Sequence, residues 1–476
     1  MISLLLHLSL ALAGDATALS PAAGAPLTVE AEVPMNLAQL EERAIQDNQS
    51  LRKRLLAWER SSERINLERA FFDLRLSLVS ERAFDANQDS HRSSLVQQLP
   101  LGFTVAATGT TAHDTSGGDD TNLSLTITKR ILGGGTWEDS LKGINDAEID
   151  ALVSLNELLR AKRQIRLDVR RGFYQLVRAS QALGIQETRL AAARKNLEGA
   201  RLRENPVDIA SAQLEVPERE QAVLGAKRAI TKAEDSLKLL LGKAPGESMA
   251  FDTRFDFRFD DVLPAQDLLV AQTHDESFLN NGLRQKKLER GSRVAGRAVL
   301  PSVDLFYRHT YADNGSRSVN LDGSGDDSAG IALNWDIGSR ANRARLAIAE
   351  SDLEESRTDE RVLLLEKGAE LRELARRIED ARDGIRLQEE RIKLAQFQVD
   401  LYRQRWEDGK ADILEFIRAQ NNLEQAKVDL IALRTSYMEN LEQYNFASAR
   451  TVAPAPVPAP VPAPAPVPAP APVPAP

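Results

Sequence analysis

Cysteine is absent from the 476 residues. That excludes disulfide staples, thiolate catalysis, Cys-ligated zinc or iron–sulfur chemistry, and an acylated cysteine anchor. A basic surplus is missing too: Lys and Arg total 61 against 70 Asp and Glu, a formal charge of -9. No basic tail or aromatic–basic interleaving is present to neutralise phosphates, so nucleic acid is not an expected partner. Aromatic residues make up 5% of the chain, too few for a thick globular core. The abundance of helix formers and charges points instead to long, thinly packed helices. Beyond the N-terminus no run of about 18 apolar residues occurs, which excludes a helical membrane span; short alternating barrel strands stay open. The five histidines, His7, His91, His113, His274 and His309, lack ligand spacing. Gly133-Gly134-Gly135 lacks the Lys and Ser/Thr of a phosphate loop and reads as a flexible exit from a strand. No catalytic, cofactor or metal site is expected, and the chain reads as a non-enzyme.

Residues 1–13 form an apolar run ending in Ala11-Leu12-Ala13, read as a secretory signal peptide with cleavage there or as late as Ala18. Residues 14–35 read as a flexible mature N-terminus. The interior then shows one plan twice. A first repeat covers 36–242: a helical stretch from Asn36 to about Asn87, a β-hairpin at about 101–132, a long helix, and a helix reversing near 205–208. A second repeat covers 264–448: a helical stretch from Pro264 to about Arg297, a hairpin at about 302–337, a long helix at 339–407 and a helix at 411–445. Strands are expected where apolar and polar residues alternate, as at Leu123, Leu125 and Ile127 and at Ile331, Leu333, Trp335 and Ile337. The intervening loops carry Asp114, Asp119 and Asp120, and Asp313, Asp322, Asp326 and Asp327. Two hairpins cannot close a barrel alone. They are either surface ornaments on a helical body or strands pooled between subunits, which is what lipid requires.

Trp137–Glu204 and Ala341–Asp408 are proline-free and at about 1.5 Å per residue could each reach roughly 100 Å, unless their glycines break them. Apolar positions spaced by three and four with many alanines give coiled-coil-like seams. The arginine-dense stretch from Arg372 to Arg391 is interleaved with acids and reads as a solvated face. Between the repeats, residues 243–263 hold Phe251, Phe255, Phe257 and Phe259 alternating with charges, which predicts a small strand or a belt-like excursion. Residues 449–476 are an Ala/Pro/Val-rich tail, expected to be disordered or extended polyproline II.

The doubled plan, the strand-to-helix exit IALNWDIGSRANRARLAIAESDLEESR and the final hairpin YRQRWEDGKADILEFIRAQNNLEQAKVDLIALRTSYMENLEQY together resemble the TolC-like outer membrane efflux protein family, from about Asn36 to Asn445. That resemblance implies a mainly α fold with a membrane β-barrel. It implies a homotrimer in which each chain gives four strands to a 12-stranded β-barrel, continuous with a 12-helix periplasmic α-barrel, with 243–263 in an equatorial belt. The implied role is a passive exit duct for efflux or type I secretion. Its partners would be a periplasmic adaptor, an inner-membrane pump of the RND, ABC or MFS class, and outer membrane lipid. With no cysteine to acylate, the barrel alone would hold it there. The competing reading is a structural coiled-coil or filament protein of the cell envelope.

Function should then concentrate where the long helices reverse. Gly409 in Glu407-Asp408-Gly409-Lys410 permits the turn. Asp412 and Glu415 can form a helix-capping pair, or face the lumen as a selectivity ring. By the family pattern Glu415 matches the first of two lumenal acids, whereas the second position holds Arg418, which would weaken cation selectivity. Trp406 stands where the family often places a Tyr in closure contacts, and Ala411 replaces an arginine partner. In the first repeat the turn holds Pro206 and Val207, with Asp208 as a cap or a lumenal charge. The tips, including Gly409, Lys410, Pro206 and Val207, are where an adaptor should dock.

Overall fold

The computed structural model describes residues 34–83, 88–99, 102–114, 119–255, 257–314 and 325–450. The signal segment, most of the expected N-terminal stretch and the tail beyond Arg450 lie outside the described residues, as does Asp322. Helix α1 spans Leu37–Asp47 and α2 Gln49–Arg69. A capping box between Asn36 and Gln39 starts α1. Asn48 separates the two helices by turning extended, and its side chain accepts from the Ser50 and Leu51 amides. A matching break at Asp275 divides α6 (Pro264–His274) from α7 (Glu276–Val299), its side chain accepting from the Ser277 amide.

The helix expected to run to Asn87 stops at Arg69. In its place the chain forms β1 (Arg75–Ala83) and β2 (Gln88–Leu99), followed by β3 (Phe103–Asp114) and β4 (Asp119–Leu132). Part of the cause is legible afterwards: Leu74, Leu76 and Leu78 recur at spacing two, the strand period, although Phe71, Leu74 and Leu78 also fit a helical spacing. With β5 (Ser302–Asn314) and β6 (Asp326–Asn334), the strands make one antiparallel sheet in the order β1-β2-β3-β4-β5-β6. Among the described residues there are therefore six strands, not the four expected. Strand β6 ends at Asn334, so Trp335 and Ile337 lie beyond it, both exposed.

Register gives this sheet two unlike faces, because directly opposed residues share a face. On one face lie Leu76 opposite Leu95, then Ala107, then Leu125. Leu305 opposite Ile331 and Val303 opposite Leu333 continue it. The other face carries Ser77, Ser94, Thr108, Ser124 and Thr310 in one row. There the Thr108 and Ser124 hydroxyls bond at 2.6 Å. The ring of Phe306 covers Gly330 on β6, where a Cβ would come within 2.7 Å of it.

Below the sheet, a one-turn helix α3 (Trp137–Ser140) leads into α4 (Lys142–Leu202), which pairs with α5 (Pro206–Leu240). After β6, α8 (Arg340–Glu407) pairs with α9 (Ile413–Ala447). Helix α8 has 68 residues and α4 has 61; at about 1.5 Å per residue they run about 100 and 90 Å. Gly172, Gly184, Gly368 and Gly384 all lie inside unbroken helix. Gly172 sits against Leu237 and Leu240, where a side chain would crowd the α4–α5 seam.

The strand-to-helix exit at Gly133-Gly134-Gly135 is tied rather than loose. Gly133 has φ +86°, and a Cβ there would fall 2.7 Å from the Ser302 Cα. Arg130 grips Asp304 through two bonds of 2.6 and 3.0 Å and donates to the Gly134 carbonyl at 2.8 Å. The Asp139 carboxylate accepts from the Gly135 and Thr136 amides, and Arg297 pairs with Glu138 and Asp139.

The described residues of the segment at 243–263 form no strand; the pairing among them is a bridge between Met35 and Phe251. Its phenylalanines run as an edge-to-face chain: Phe255 meets Tyr174 of α4, and Phe257 and Phe259 both meet Tyr437 of α9. Charges beside it are matched by opposite charges. Arg170 bridges Glu41 at 2.6 Å and Glu442 at 2.5 Å, and Arg163 bonds Glu276. Burial, with the Glu442 carboxylate alongside, pushes the Tyr174 phenol well above its ordinary range.

Candidate functional site

Both helical pairs reverse at the end of the molecule far from the sheet. Helix α8 ends in a Schellman-type turn: the Gly409 amide bonds the Trp406 carbonyl at 3.1 Å and the Lys410 amide bonds the Arg405 carbonyl at 2.8 Å. Gly409 makes this possible at φ +72°. The α4–α5 turn does the same work with Glu204, a non-glycine at φ +54°. Asn205 then caps α5 by accepting from the Val207 amide at 3.1 Å, with Pro206 in its first turn.

Trp406 is where the two turns meet. Its indole stacks on Phe416, rings 5.7 Å apart and 10° from parallel. On its other side it presses on Gly199 of α4, where a Cβ would sit 2.9 Å from the ring. The Arg203 guanidinium, at the C-terminal end of α4, lies 4.1 Å from the ring centroid. Arg203 also donates to the Trp406 carbonyl, and to that of Glu407 at 3.3 Å. Those carbonyls lie at the negative end of the α8 dipole, so a cation there is favoured. Beneath, Ala200 and Ala212 pack with Ile413 and Ile417 of α9, all buried. The Trp406 indole N–H is buried with no acceptor among the described residues.

Sequence reasoning singled out Trp406 but not Arg203 or the role of Gly199. The one available signal was their spacing: Gly199 and Arg203 are four apart, so they share a face of α4. Asp412 occupies the N-cap position of α9 but makes no side-chain capping bond, so the proposed capping box with Glu415 does not form. Glu415 and Arg418 are both exposed, one turn apart, and neither has an ion-pair partner among the described residues. Asp208 is buried in the first turn of α5. Val207 is 71% exposed and Lys410, also exposed, pairs with Asp408 at 3.1 Å. Among the described residues no helix is long and apolar enough to cross a membrane.

The two-faced antiparallel sheet standing on paired helices about 100 Å long has counterparts among known proteins. Residues 271–447 match the family model described as outer membrane efflux protein. The solved structure of CusC shares the fold at TM-score 0.66 and 16% identity, covering 88% of this chain and 92% of that one. The outer membrane protein VceC of Vibrio cholerae gives TM-score 0.65 at 15% identity, covering 87% and 96%. The CmeC outer membrane channel of Campylobacter jejuni gives 0.64 at 13%, covering 91% and 93%. No curated protein sequence matches the chain. Over residues 271–447 the chain thus resembles the outer membrane efflux proteins, and across most of its length it shares the fold of these solved structures.

Proposed function

We propose that three copies of this chain form a passive exit duct. The sheets close edge to edge into a barrel, with the apolar face toward lipid and the Ser/Thr face toward water. Helices α4, α5, α8 and α9 of three copies make a twelve-helix tunnel in the periplasm, and the two tips of each chain gate its mouth. A periplasmic adaptor seats on the tips through exposed Val207, Pro206, Gly409 and Lys410, and an inner-membrane pump of the RND, ABC or MFS class drives substrate through. The observation that carries this reading is the sheet itself. Leu76, Leu78, Leu95, Leu123, Leu125, Leu305, Ile331 and Leu333 all lie exposed on one face, which water does not tolerate and lipid does.

At the gate, Arg203 and Trp406 hold the first tip against the second within each chain, the closed arrangement. Glu415 and Arg418 present paired levels of opposite charge to the lumen, so the mouth is close to neutral rather than cation-attracting. Electron microscopy of the detergent-extracted membrane fraction tests the duct. The expected particle is a three-fold tube with a micelle at one end and about 100 Å of protruding helix. Soluble filaments would replace this reading with an envelope coiled-coil protein.

A further inference from the structure

We propose that the outer strands β1 and β6 are the subunit seam, β6 of one copy pairing with β1 of the next, so that the membrane wall is an eighteen-stranded barrel. This rests on the trimeric duct reading and departs from it in the wall: six strands per chain in three copies make eighteen, against the twelve that the family resemblance implies.

Four observations carry it. First, β1–β2 belongs to the wall and is not a flap beside it. It pairs with β3 along all of β2, from Gln88 opposite Asp114 to Leu99 opposite Phe103. It also continues the face pattern, Leu76 and Leu95 on the apolar side and Ser77 and Ser94 on the polar side. Second, the two free edges match. Strands β1 and β6 each have nine residues, enough to cross the hydrocarbon layer at barrel tilt. Six is even, so β6 and the next β1 run antiparallel, and the closing pair is of the same kind as the other five.

Third, exposure within the apolar face peaks at the edges. Leu76 and Leu78 are 65 and 72% exposed and Ile331 and Leu333 are 70 and 64%, whereas the interior Leu95, Leu123, Leu125 and Leu305 fall at 38 to 40%. The edge residues lack a neighbouring strand, and unpaired edge backbone is not tolerated in lipid. Fourth, the ring sizes agree. Eighteen strands about 4.8 Å apart and tilted about 40° give a circumference of about 110 Å. Twelve helices about 9 Å apart give about 110 Å as well. Twelve strands would give only about 75 Å on the same reckoning. The added hairpin lets barrel and tunnel meet without a constriction, in a barrel about 1.5 times as wide as a twelve-stranded one.

The absence of cysteine makes disulfide mapping clean. Cysteines placed at Leu76, Leu78 or Ser80 on β1 are combined with one at Ala329, Ile331 or Leu333 on β6, all on the same face. Oxidation in intact outer membranes is expected to convert monomer to covalent dimer and trimer for at least one pairing. The same β6 cysteines are combined in parallel with Val105→Cys or Ala107→Cys on β3, the strand that would form the edge if β1–β2 left the wall. Linkage through β3 instead of β1, or a three-fold tube resolved with twelve strands, overturns the proposal and leaves the duct standing. Particles without three-fold symmetry or a micelle remove the duct, and this seam with it.

Discussion

At the residue scale the tip depends on one missing side chain. Gly199 gives Trp406 its seat on α4, and Arg203 covers the ring while bonding the carbonyls at the end of α8. The cation–π contact contributes about 0.5–2 kcal/mol and the hydrogen bonds to a charged donor about 1.5–3 kcal/mol each. Arg203→Ala and Gly199→Val are therefore expected to raise open probability in planar bilayers several-fold. Gly184→Val, at a position with open space around it, is expected to leave it unchanged. Equal behaviour of the two glycine variants would show that Trp406 is merely helix packing. The charges at 415 and 418 give a second test. If both face the lumen, Arg418→Gln shifts the single-channel reversal potential toward cation preference, and Glu415→Gln shifts it toward anion preference. A reversal potential that ignores both variants would place the pair on an outer face.

At the scale of elements, the four long helices trap polar groups where they converge. Glu215 of α5 is buried, one oxygen accepting from Arg219 at 3.3 Å and the Asn421 side chain lying beside the carboxylate. Burial pushes its carboxyl above its ordinary range, against the pull of Arg219, and Glu439 of α9 moves the same way for the same reason. The folded state thus holds more protons than the unfolded one between the ordinary carboxyl value and the raised one. Stability falls as pH rises through that window, and at neutral pH the whole cost is present. Glu215→Gln keeps an acceptor for Arg219 and removes the buried charge. It is expected to stabilise by about 1 kcal/mol at pH 7, an increase of about 1–2 °C in Tm, with the advantage vanishing near pH 4. Calorimetry at the two pH values checks both the sign and its disappearance. The sheet-to-helix exit shows the same economy of space: three glycines that read as slack in the sequence are held by Arg130, Asp304 and Asp139.

At the scale of the whole molecule, the chain is built to be completed by copies of itself. Its sheet has two open edges and a bare apolar face, while its helices are too long for a globule and pack in pairs. The short helices α1 and α6 fasten the pairs midway, and α2 and α7 run from there up to the sheet, where Arg69 pairs with Glu148 and Arg297 with Glu138. Paired charges such as Arg170 with Glu41 and Glu442 tie α1 to α4 and α9, and the phenylalanine chain from Phe255 to Phe259 laces the two halves together. The tips below are left free of this belt. Motion at the tips can therefore occur while the wall stays closed.

What the sequence determined alone was periodicity and its punctuation. Spacing of three and four over proline-free runs dictated α4 and α8, alternation dictated β3 to β6, and Gly409 marked a reversal, because each is a property of neighbouring residues. The same rule, applied to Leu74, Leu76 and Leu78, fits β1 but fits a helix too, and β2 is polar along much of its length and is held as a strand by pairing on both sides. Only tertiary packing decided that pairing, and only packing brought Arg203 and Gly199 to Trp406 across some two hundred residues. Capping also yielded to it: Asp412 has the right type and position, but no side-chain bond forms while Ile413 and Phe416 are buried in the tip core. Local pattern sets which face of an element is apolar; which face meets which is a property of the closed chain.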